Sequence, residues 1–288
     1  MNHQTASLAA GLYFVGVPIG SARDITLRAL DVLANATVLA AEDTRSLRRL
    51  MDIHGVPLAG RRIIALHDHS TDAVTKGLLD EIEGGASVAY ASEAGMPLIA
   101  DPGFELGRAA AERGLMSTCA PGPSAVLTAL VLAGLPTDAF HFAGFLPNAS
   151  AARLRALEQL QPVRATLVFY ESPKRLGAML RDAAAVLGAE RSAAVARELT
   201  KKFEEVRRGT LATLASQYEG KPPKGEVVVL IDRGSLEKIS EDDIEKDILA
   251  ALAAHSMRDA VDLVSKARNL PRRDVYKRAL RISKDTKG

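Results

Sequence analysis

Short apolar runs alternate with segments of helical periodicity along most of the chain. In the first 120 residues the apolar runs predict four strands, at residues 12–17, 37–41, 63–66 and 87–91, with a short basic helix after residues 42–44. After the first run, Ile25, Ala29, Leu30 and Leu33 fall on one helical face, with Asp24 or a neighbour as the predicted N-cap. Strands that alternate with helices are typical of α/β proteins.

The alternation continues in the second half of the chain and ends near residue 234. An apolar helix is predicted at residues 125–133, between Ser124 and Gly134. Strands are predicted at residues 140–145, 166–170, 193–197, 205–208 and 226–232, with leucine-spaced helices at 154–160 and 176–187. Beyond that point only helical patterns remain, at residues 244–254, 257–266 and 272–281. We therefore predict two α/β lobes, residues 1–123 and 124–234, followed by a helical appendage, residues 235–288.

Four loops rich in glycine and proline follow apolar segments of the first lobe: residues 16–20, 92–97, 101–103 and 121–124. Ligands of open α/β sheets gather beyond the carboxyl ends of the strands, where glycine lets a ligand approach the main chain closely. One such loop is most often an ordinary turn. Four in one lobe indicate a ligand site, although the P-loop and the G-x-G-x-x-G signatures are absent from the sequence.

Composition narrows the class of protein. The 47% hydrophobic and 25% charged residues are typical of a globular chain. A single cysteine, Cys119, excludes an intramolecular disulfide framework and sites built from several cysteines. No basic residue precedes Arg23, unlike the start of a secretory signal peptide, so we expect a cytoplasmic, reducing compartment.

The net charge of +2 hides an uneven distribution. Residues 256–288 contain ten basic and four acidic side chains. A basic end on a near-neutral body suits a nucleic-acid partner, and a solvated helical surface is the alternative. With 7 Phe, 5 Tyr and no Trp, recognition of a folded RNA is favoured over generic single-strand binding.

Acidic and imidazole side chains at the predicted strand ends are the candidates for proton transfer: Glu42, Asp43, His67 and Glu171. Each has a structural alternative, such as a helix cap for Asp43. His67 and His69 alternate as two metal ligands would, but no third ligand is spaced to join them. A polar strand end is the favoured interpretation, and we expect no metal.

The order of several motifs carries a resemblance to a known family. These are Leu-Tyr-Phe-Val-Gly-Val-Pro-Ile-Gly at residues 12–20, Ala-Glu-Asp-Thr-Arg at 41–45, Ser-Glu-Ala-Gly-Met-Pro at 92–97, Asp-Pro-Gly at 101–103, Pro-Gly-Pro-Ser at 121–124, Phe-Tyr-Glu-Ser-Pro at 169–173, Ala-Arg-Glu-Leu-Thr-Lys at 196–201 and Pro-Lys-Gly-Glu at 223–226. In this order they resemble the ribosomal RNA small subunit methyltransferase I family, over residues 11–232 and the helical tail.

The resemblance implies a two-lobed tetrapyrrole methylase-like fold with S-adenosylmethionine between the lobes, usually in a homodimer. It implies methylation of a cytidine ribose 2′-hydroxyl in the decoding region of 16S ribosomal RNA, within the small subunit and with no membrane partner. Carried onto this chain, the cofactor contacts are Pro18, Ser92, Glu93, Ala94, Gly95, Pro97, Ile99, Ser124, Ala125, Tyr170, Ala196 and Gly225. The basic side chains expected to hold RNA are Arg45, Lys174, Arg175, Arg197, Lys201, Arg272 and Arg273.

Two other functions remain open at this point: methylation of a tetrapyrrole, and RNA binding without catalysis. The chain also departs from the family's usual motifs at Val17, Glu93 and Met96, where Thr, Asp and Thr are common. Val17 and Met96 each replace a hydroxyl by an apolar group, at a cost of about 0.5–1.5 kcal/mol per lost hydrogen bond. We expect weaker or shifted cofactor contacts there, with function retained.

Overall fold

The computed structural model describes residues 3–67, 72–233, 241–268 and 270–285. The chain forms two compact units, residues 1–233 and 234–288. The first unit contains two five-stranded sheets and the second contains helices. No helix within the described residues combines the length and the apolar character needed to cross a membrane.

The first sheet is entirely parallel. Its strands are β1 (Gly11–Val15), β2 (Val38–Ala41), β3 (Ile63–Ala65), β4 (Ser87–Ala91) and β5 (Ser117–Ala120), in the order β3-β2-β4-β1-β5. The accompanying helices are α1 (Leu27–Asn35), α2 (Thr44–Ile53), α3 (Asp72–Glu83) and α4 (Phe104–Glu112). Because all five strands run the same way, the loops after β1, β2, β4 and β5 lie at the same edge of the sheet.

The second sheet is mixed. Its strands are β6 (Phe140–Phe145), β7 (Thr166–Glu171), β8 (Ser192–Arg197), β9 (Glu205–Thr210) and β10 (Val227–Ile231), in the order β6-β7-β10-β8-β9. Only β6 and β7 pair in parallel. The helices of this lobe are α5 (Ala125–Ala133), α6 (Ser150–Leu160), α7 (Leu176–Leu187) and α8 (Leu211–Tyr218).

The predicted strands and the leucine-spaced helices are all present, and four elements were not anticipated: β5, α3, α4 and α8. Strand β5 gave no apolar signal because three of its four residues are Ser117, Thr118 and Cys119. The N-cap of α1 is Thr26, whose hydroxyl accepts the Ala29 N–H, rather than Asp24. The helix therefore begins after the Thr26 hydroxyl, two residues further along the chain than Asp24.

Helix α5 is apolar on nearly all sides, and its buried residues pack against the second sheet. Val126, Ala129 and Leu130 share a core with Val168 and Leu230. The same core also includes Ile19, which belongs to the loop after β1 in the first lobe. The two lobes of residues 1–233 thus share buried apolar contacts near the ends of their strands.

The second unit consists of α9 (Glu241–Ala254), α10 (Met257–Arg268) and α11 (Arg272–Asp285). Ile248, Val261, Val264, Val275 and Ala279 form its core. Each helix supplies apolar residues at helical spacing to this core, as the sequence pattern predicts. Most of the basic side chains that the structure describes in this unit are exposed.

Candidate active site

A cavity of about 360 Å³ lies where the strand-end loops of both lobes meet. Its wall includes residues of the loops after β1, β4 and β7, the start of α5, and the segment that leads into β10. Its lining residues are Ile19, Ala94, Gly95, Met96, Ile99, Asp101, Ser124, Ala125, Phe145, Tyr170, Glu171, Pro173, Ala196, Leu199, Gly225, Glu226, Val227 and Val228. This volume suits a small organic ligand.

The first-lobe wall is held by main-chain contacts between three loops. Val17 and Gly95 exchange N–H···O bonds of 2.9 and 3.1 Å. Gly16 and Gly122 touch backbone to backbone, since a Cβ added at Gly122 would lie 2.8 Å from the Gly16 carbonyl carbon. Glycine is required at this crossing because any side chain would push the loops apart.

Val17 and Met96, the two apolar departures from the family's motifs, have different surroundings. The Val17 side chain is buried in the first-lobe core with Ala29, Leu30 and Leu33. Val17 also borders a second, smaller cavity. Met96 lines the larger cavity and its Sδ accepts the Gly122 N–H at 3.2 Å. A thioether thus serves as a weak acceptor at this loop contact.

Helix α5 begins on the cavity wall. Ser124 is its N-cap, and the Ser124 hydroxyl accepts the Leu127 N–H. Ser124 and Ala125 both line the cavity, so the positive end of the helix dipole is directed to this region. A negatively charged group of a ligand is stabilised at such a position.

An aromatic cluster forms part of the second-lobe wall. The Tyr170 ring lies edge-on to Phe142 and Phe145, with centroid distances of 4.9 and 5.6 Å. Burial, together with the negative charges of Asp101 and Glu226, raises the pKa of Tyr170 to about 12. The tyrosine therefore stays protonated and neutral throughout the physiological range.

Beside Tyr170, the Glu171 carboxylate is fully buried and held by fixed donors. The Ser172 N–H bonds to Oε1 at 2.6 Å, and Arg175 Nη2 donates to Oε2 at 3.2 Å. Burial raises the pKa of Glu171, and the Ser172 N–H and Arg175 oppose this shift. Arg175 Nη2 also donates to the Leu146 carbonyl at 2.5 Å, and Arg175 Nη1 bonds to the Asn148 side chain. Arg175 thus joins the loop after β7 to the loop after β6.

A second ion-pair network lies at the start of β10. Lys201 Nζ is 3.0 Å from Glu198 Oε1 and 2.8 Å from Glu226 Oε2. The adjacent Thr200 hydroxyl accepts the Ser21 N–H at 3.0 Å, which connects this segment to the loop after β1. The network fixes the orientation of the Glu226 segment that lines the cavity.

The structure places the predicted cofactor residues in three groups. Pro18, Ser92 and Glu93 line a smaller cavity of about 170 Å³, which also involves α2. Pro97 is buried and lines neither cavity. The remaining eight lie on the larger cavity: Ala94, Gly95, Ile99, Ser124, Ala125, Tyr170, Ala196 and Gly225.

The four candidates for proton transfer are not brought together. Glu171 alone of them lines the larger cavity. Asp43 caps α2 by accepting the Arg45 and Ser46 N–H groups, which lowers its pKa. Glu42 Oε2 accepts the Glu93 N–H at 3.0 Å, and His67 is exposed at the end of β3. His69 lies outside the described residues.

The basic residues predicted to hold RNA divide by exposure. Arg45 is 92% exposed, and Lys174 and Arg273 are also exposed. In contrast, Arg175, Arg197 and Lys201 are engaged inside the lobe, with Arg197 paired to Glu205 at 3.2 Å. Arg272 forms an ion pair with Asp262. The basic residues named from the sequence therefore include both exposed side chains and side chains that hold loops of the lobe together.

Four functional candidates on the cavity escaped the sequence reasoning or entered it only as part of a motif: Ile19, Asp101, Phe145 and Glu226. Asp101 and Glu226 belong to motifs that were identified, so their acidity was a usable signal. Nothing in the sequence distinguishes Phe145 from the other apolar residues of β6, so its place on the cavity could not be predicted.

Comparison with known proteins agrees with this architecture. Residues 11–215 match the family model for tetrapyrrole (corrin/porphyrin) methylases, and residues 238–283 match that for the RsmI C-terminal HTH domain. The ribosomal RNA small subunit methyltransferase I of Mesorhizobium japonicum is 44% identical over 98% of this chain and 95% of its own length. The Escherichia coli O157:H7 protein of that name is 39% identical over 96% and 98%.

Solved structures share the fold at low sequence identity. Diphthine synthase aligns with a TM-score of 0.59 and 16% identity, over 77% of this chain and 89% of its own. The uroporphyrin-III C-methyltransferase of Thermus thermophilus, complexed with S-adenyl homocysteine, aligns with a TM-score of 0.52 and 19% identity, over 78% and 97%. The two-lobed unit has the tetrapyrrole methylase fold, and the chain belongs to the ribosomal RNA small subunit methyltransferase I family.

Proposed function

We propose that the protein transfers a methyl group from S-adenosylmethionine to a cytidine ribose 2′-hydroxyl in the decoding region of 16S ribosomal RNA. The observation that carries the proposal is the full-length likeness to ribosomal RNA methyltransferases, which extends over the cavity-bearing unit and the helical unit together. The exposed basic side chains of the helical unit supply the positive charge that an RNA partner requires.

The larger cavity fits S-adenosylmethionine on chemical grounds. The apolar side chains of Ile19 and Leu199 on its wall suit the adenine and the thioether carbons, and the start of α5 suits the methionine carboxylate. Asp101, Glu171 and Glu226 line it, and none of its described lining residues is basic. An acidic site suits a ligand that carries a sulfonium and an ammonium group.

The bound cofactor supplies an electrophilic methyl group for displacement by an oxygen nucleophile. The chain's own task is mainly to position the hydroxyl and exclude competing water. Glu171 has no exposed side-chain surface and holds Arg175, so we assign it to positioning. Asp101 is half-buried on the cavity and Glu226 is 75% exposed, and we propose that one of their carboxylate oxygens receives the hydroxyl proton.

We also propose that the protein acts as a homodimer on cytoplasmic small subunits. Helix α5 presents Leu127 and Val131, which are 53% and 81% exposed, although its other face is buried. Apolar residues of this kind are enriched at obligate interfaces. A monomer at micromolar concentration in sedimentation equilibrium would contradict this part of the proposal.

Methyl transfer from labelled S-adenosylmethionine to purified small subunits that lack their native ribose methylations tests the activity. Naked 16S RNA and a tetrapyrrole serve as parallel substrates. We expect label in 2′-O-methylcytidine from the subunits. Label in the tetrapyrrole alone would identify a small-molecule methyltransferase, and cofactor binding with no label in any substrate would contradict the proposed reaction.

The acidic lining predicts discrimination between the charged cofactor and its product. Asp101→Asn is expected to weaken binding of S-adenosylmethionine about fivefold, since one charge interaction of about 1 kcal/mol is lost. Binding of S-adenosylhomocysteine, which lacks the sulfonium charge but keeps the ammonium group, should weaken by a smaller factor. Calorimetry with both ligands measures the difference, and Asp52→Asn, an exposed carboxylate outside the cavity, is the control. Equal weakening of both ligands would contradict an interaction of Asp101 with the sulfonium charge.

A further inference from the structure

One large aromatic side chain on the cavity wall is open to solvent. Phe145 is 57% exposed and lines the cavity, and its ring contacts Tyr170 at an angle of 60°. Tyr170 itself is half-buried. A phenyl ring that is exposed on the wall of a ligand cavity offers a flat apolar face to a bound ligand.

The backbone of β6 places this ring by a local irregularity. Phe140, His141 and Phe142 pair in sequence with residues 166–168 of β7. Continued pairing would put Gly144 opposite Tyr170, but the register shifts and Phe145 takes that position. Gly144 has φ +64°, in the left-handed region that glycine adopts without strain. The shift therefore substitutes an aromatic ring for a hydrogen atom beside Tyr170.

The chain on the carboxyl side of Phe145 is anchored. The Leu146 side chain is buried in the second-lobe core, and the Leu146 carbonyl accepts from Arg175. Arg175 is in turn bound to the buried Glu171. These anchors hold the ring in position before any ligand arrives, which lowers the entropic cost of stacking on it.

Charge decides which part of an RNA can enter beside this ring. The carboxylates of Asp101, Glu171 and Glu226 line the cavity, so phosphate groups are repelled from it. A nucleobase is flat and neutral and is not repelled. Lys174 is exposed immediately after the cavity residue Pro173, where it can contact the adjacent phosphate outside the cavity.

We propose that the Phe145 ring is the stacking platform for the base of the target nucleotide, which leaves its RNA stack to bring its ribose to the cavity. The inference rests on the proposed function, because it assumes an RNA substrate. Extrusion of the target nucleotide and stacking on an aromatic side chain are general solutions for enzymes that modify stacked nucleotides. A base stacked on one ring face is recognised by shape rather than by sequence.

The test compares Phe145→Ala, Phe145→Leu and Phe145→Tyr with the wild type. Phe140→Ala is the matched control, since Phe140 is on the same strand, 44% exposed and outside the cavity lining. We expect kcat/KM for undermethylated subunits to fall about 10- to 100-fold in the alanine and leucine variants. Phe145→Tyr keeps a ring and should restore it to within about threefold. Affinity for S-adenosylhomocysteine should stay unchanged in all variants.

Several outcomes would overturn the inference. Unchanged kcat/KM in Phe145→Leu, which retains apolar volume without a ring, would exclude stacking. Equal losses in Phe145→Ala and Phe140→Ala would indicate a general effect on the strand. A parallel loss of S-adenosylhomocysteine affinity would assign the ring to the cofactor instead. If the wild type transfers no methyl group to RNA, the proposed function fails together with this inference, whereas active wild type with unaffected variants refutes the inference alone.

Discussion

Arg175→Met is expected to lower the free energy of unfolding by about 3–5 kcal/mol at neutral pH. The substitution keeps much of the side-chain length but leaves the fully buried Glu171 carboxylate without its cationic partner. It also removes the donors to Leu146 and Asn148, which hold the loop after β6. Chemical denaturation of wild type and variant measures the loss.

The loss should depend on pH in a defined direction. Burial already raises the pKa of Glu171 above its ordinary value of 4.5, and removing Arg175 raises it further. The folded state then binds this proton more tightly than the unfolded state, so the stabilisation from protonation is complete below pH 4.5 and is lost as the pH rises through the folded-state pKa. The difference in the free energy of unfolding between the variant and the wild type should become smaller as the pH is lowered from 8 to 5. The double variant Arg175→Met, Glu171→Gln should recover part of the lost stability at pH 8. A difference in the free energy of unfolding that does not change with pH would contradict this explanation.

Gly122→Ala is expected to destabilise the protein by about 3 kcal/mol and to weaken binding of S-adenosylhomocysteine at least tenfold. A Cβ at this position would lie 2.8 Å from the Gly16 carbonyl carbon and 2.9 Å from its Cα, and both are main-chain atoms that cannot rotate away. Relief requires the loops after β1 and β5 to separate, which costs about 1–3 kcal/mol or more in overpacked sites. The same movement displaces Met96 Sδ from the Gly122 N–H on the cavity wall.

Gly77→Ala provides the matched control for this prediction. Gly77 lies in α3, and a Cβ added there meets nothing within 4 Å. Alanine favours a helix over glycine by about 0.5–1 kcal/mol, so this variant should be slightly stabilised with unchanged ligand affinity. Thermal unfolding and calorimetry separate the two substitutions. Wild-type stability in Gly122→Ala would show that the loop crossing tolerates a side chain.

The sequence was sufficient to predict most elements because the strands of both sheets are apolar and their ends are marked by glycine and proline. Helix α5 was predicted to the residue, since Ser124 and Gly134 occupy its N-cap and C-cap. Strand β5 was missed because Ser117 to Cys119 carry too little apolar surface to signal burial. Local patterns succeed where burial is strong and fail where a strand is covered by only a few contacts.

The candidate site was less predictable because it depends on contacts between distant segments. Arg175 and Lys174 are adjacent in sequence, yet one is bound to a buried carboxylate and the other is exposed. Met96 replaces a hydroxyl, but its sulfur reaches an N–H 26 residues away. Phe145 reaches the cavity through a register shift that no apolar pattern encodes. Each outcome is decided by tertiary geometry rather than by residue type.

The shared core around Ile19 has a consequence for how ligands exchange. Ile19 is buried among residues of α5 and the second sheet, and the Ser21 N–H donates a hydrogen bond to the Thr200 hydroxyl. These contacts hold the two lobes together on one side of the cavity. A hinge motion that separates the lobes would have to break these contacts in every catalytic cycle. Leu98 and Ala100, with φ of +70° and +62°, hold left-handed conformations that cost about 1–2 kcal/mol each. Product release is therefore expected to follow the rearrangement of this short strained segment, and its rate to be set locally rather than by separation of the lobes.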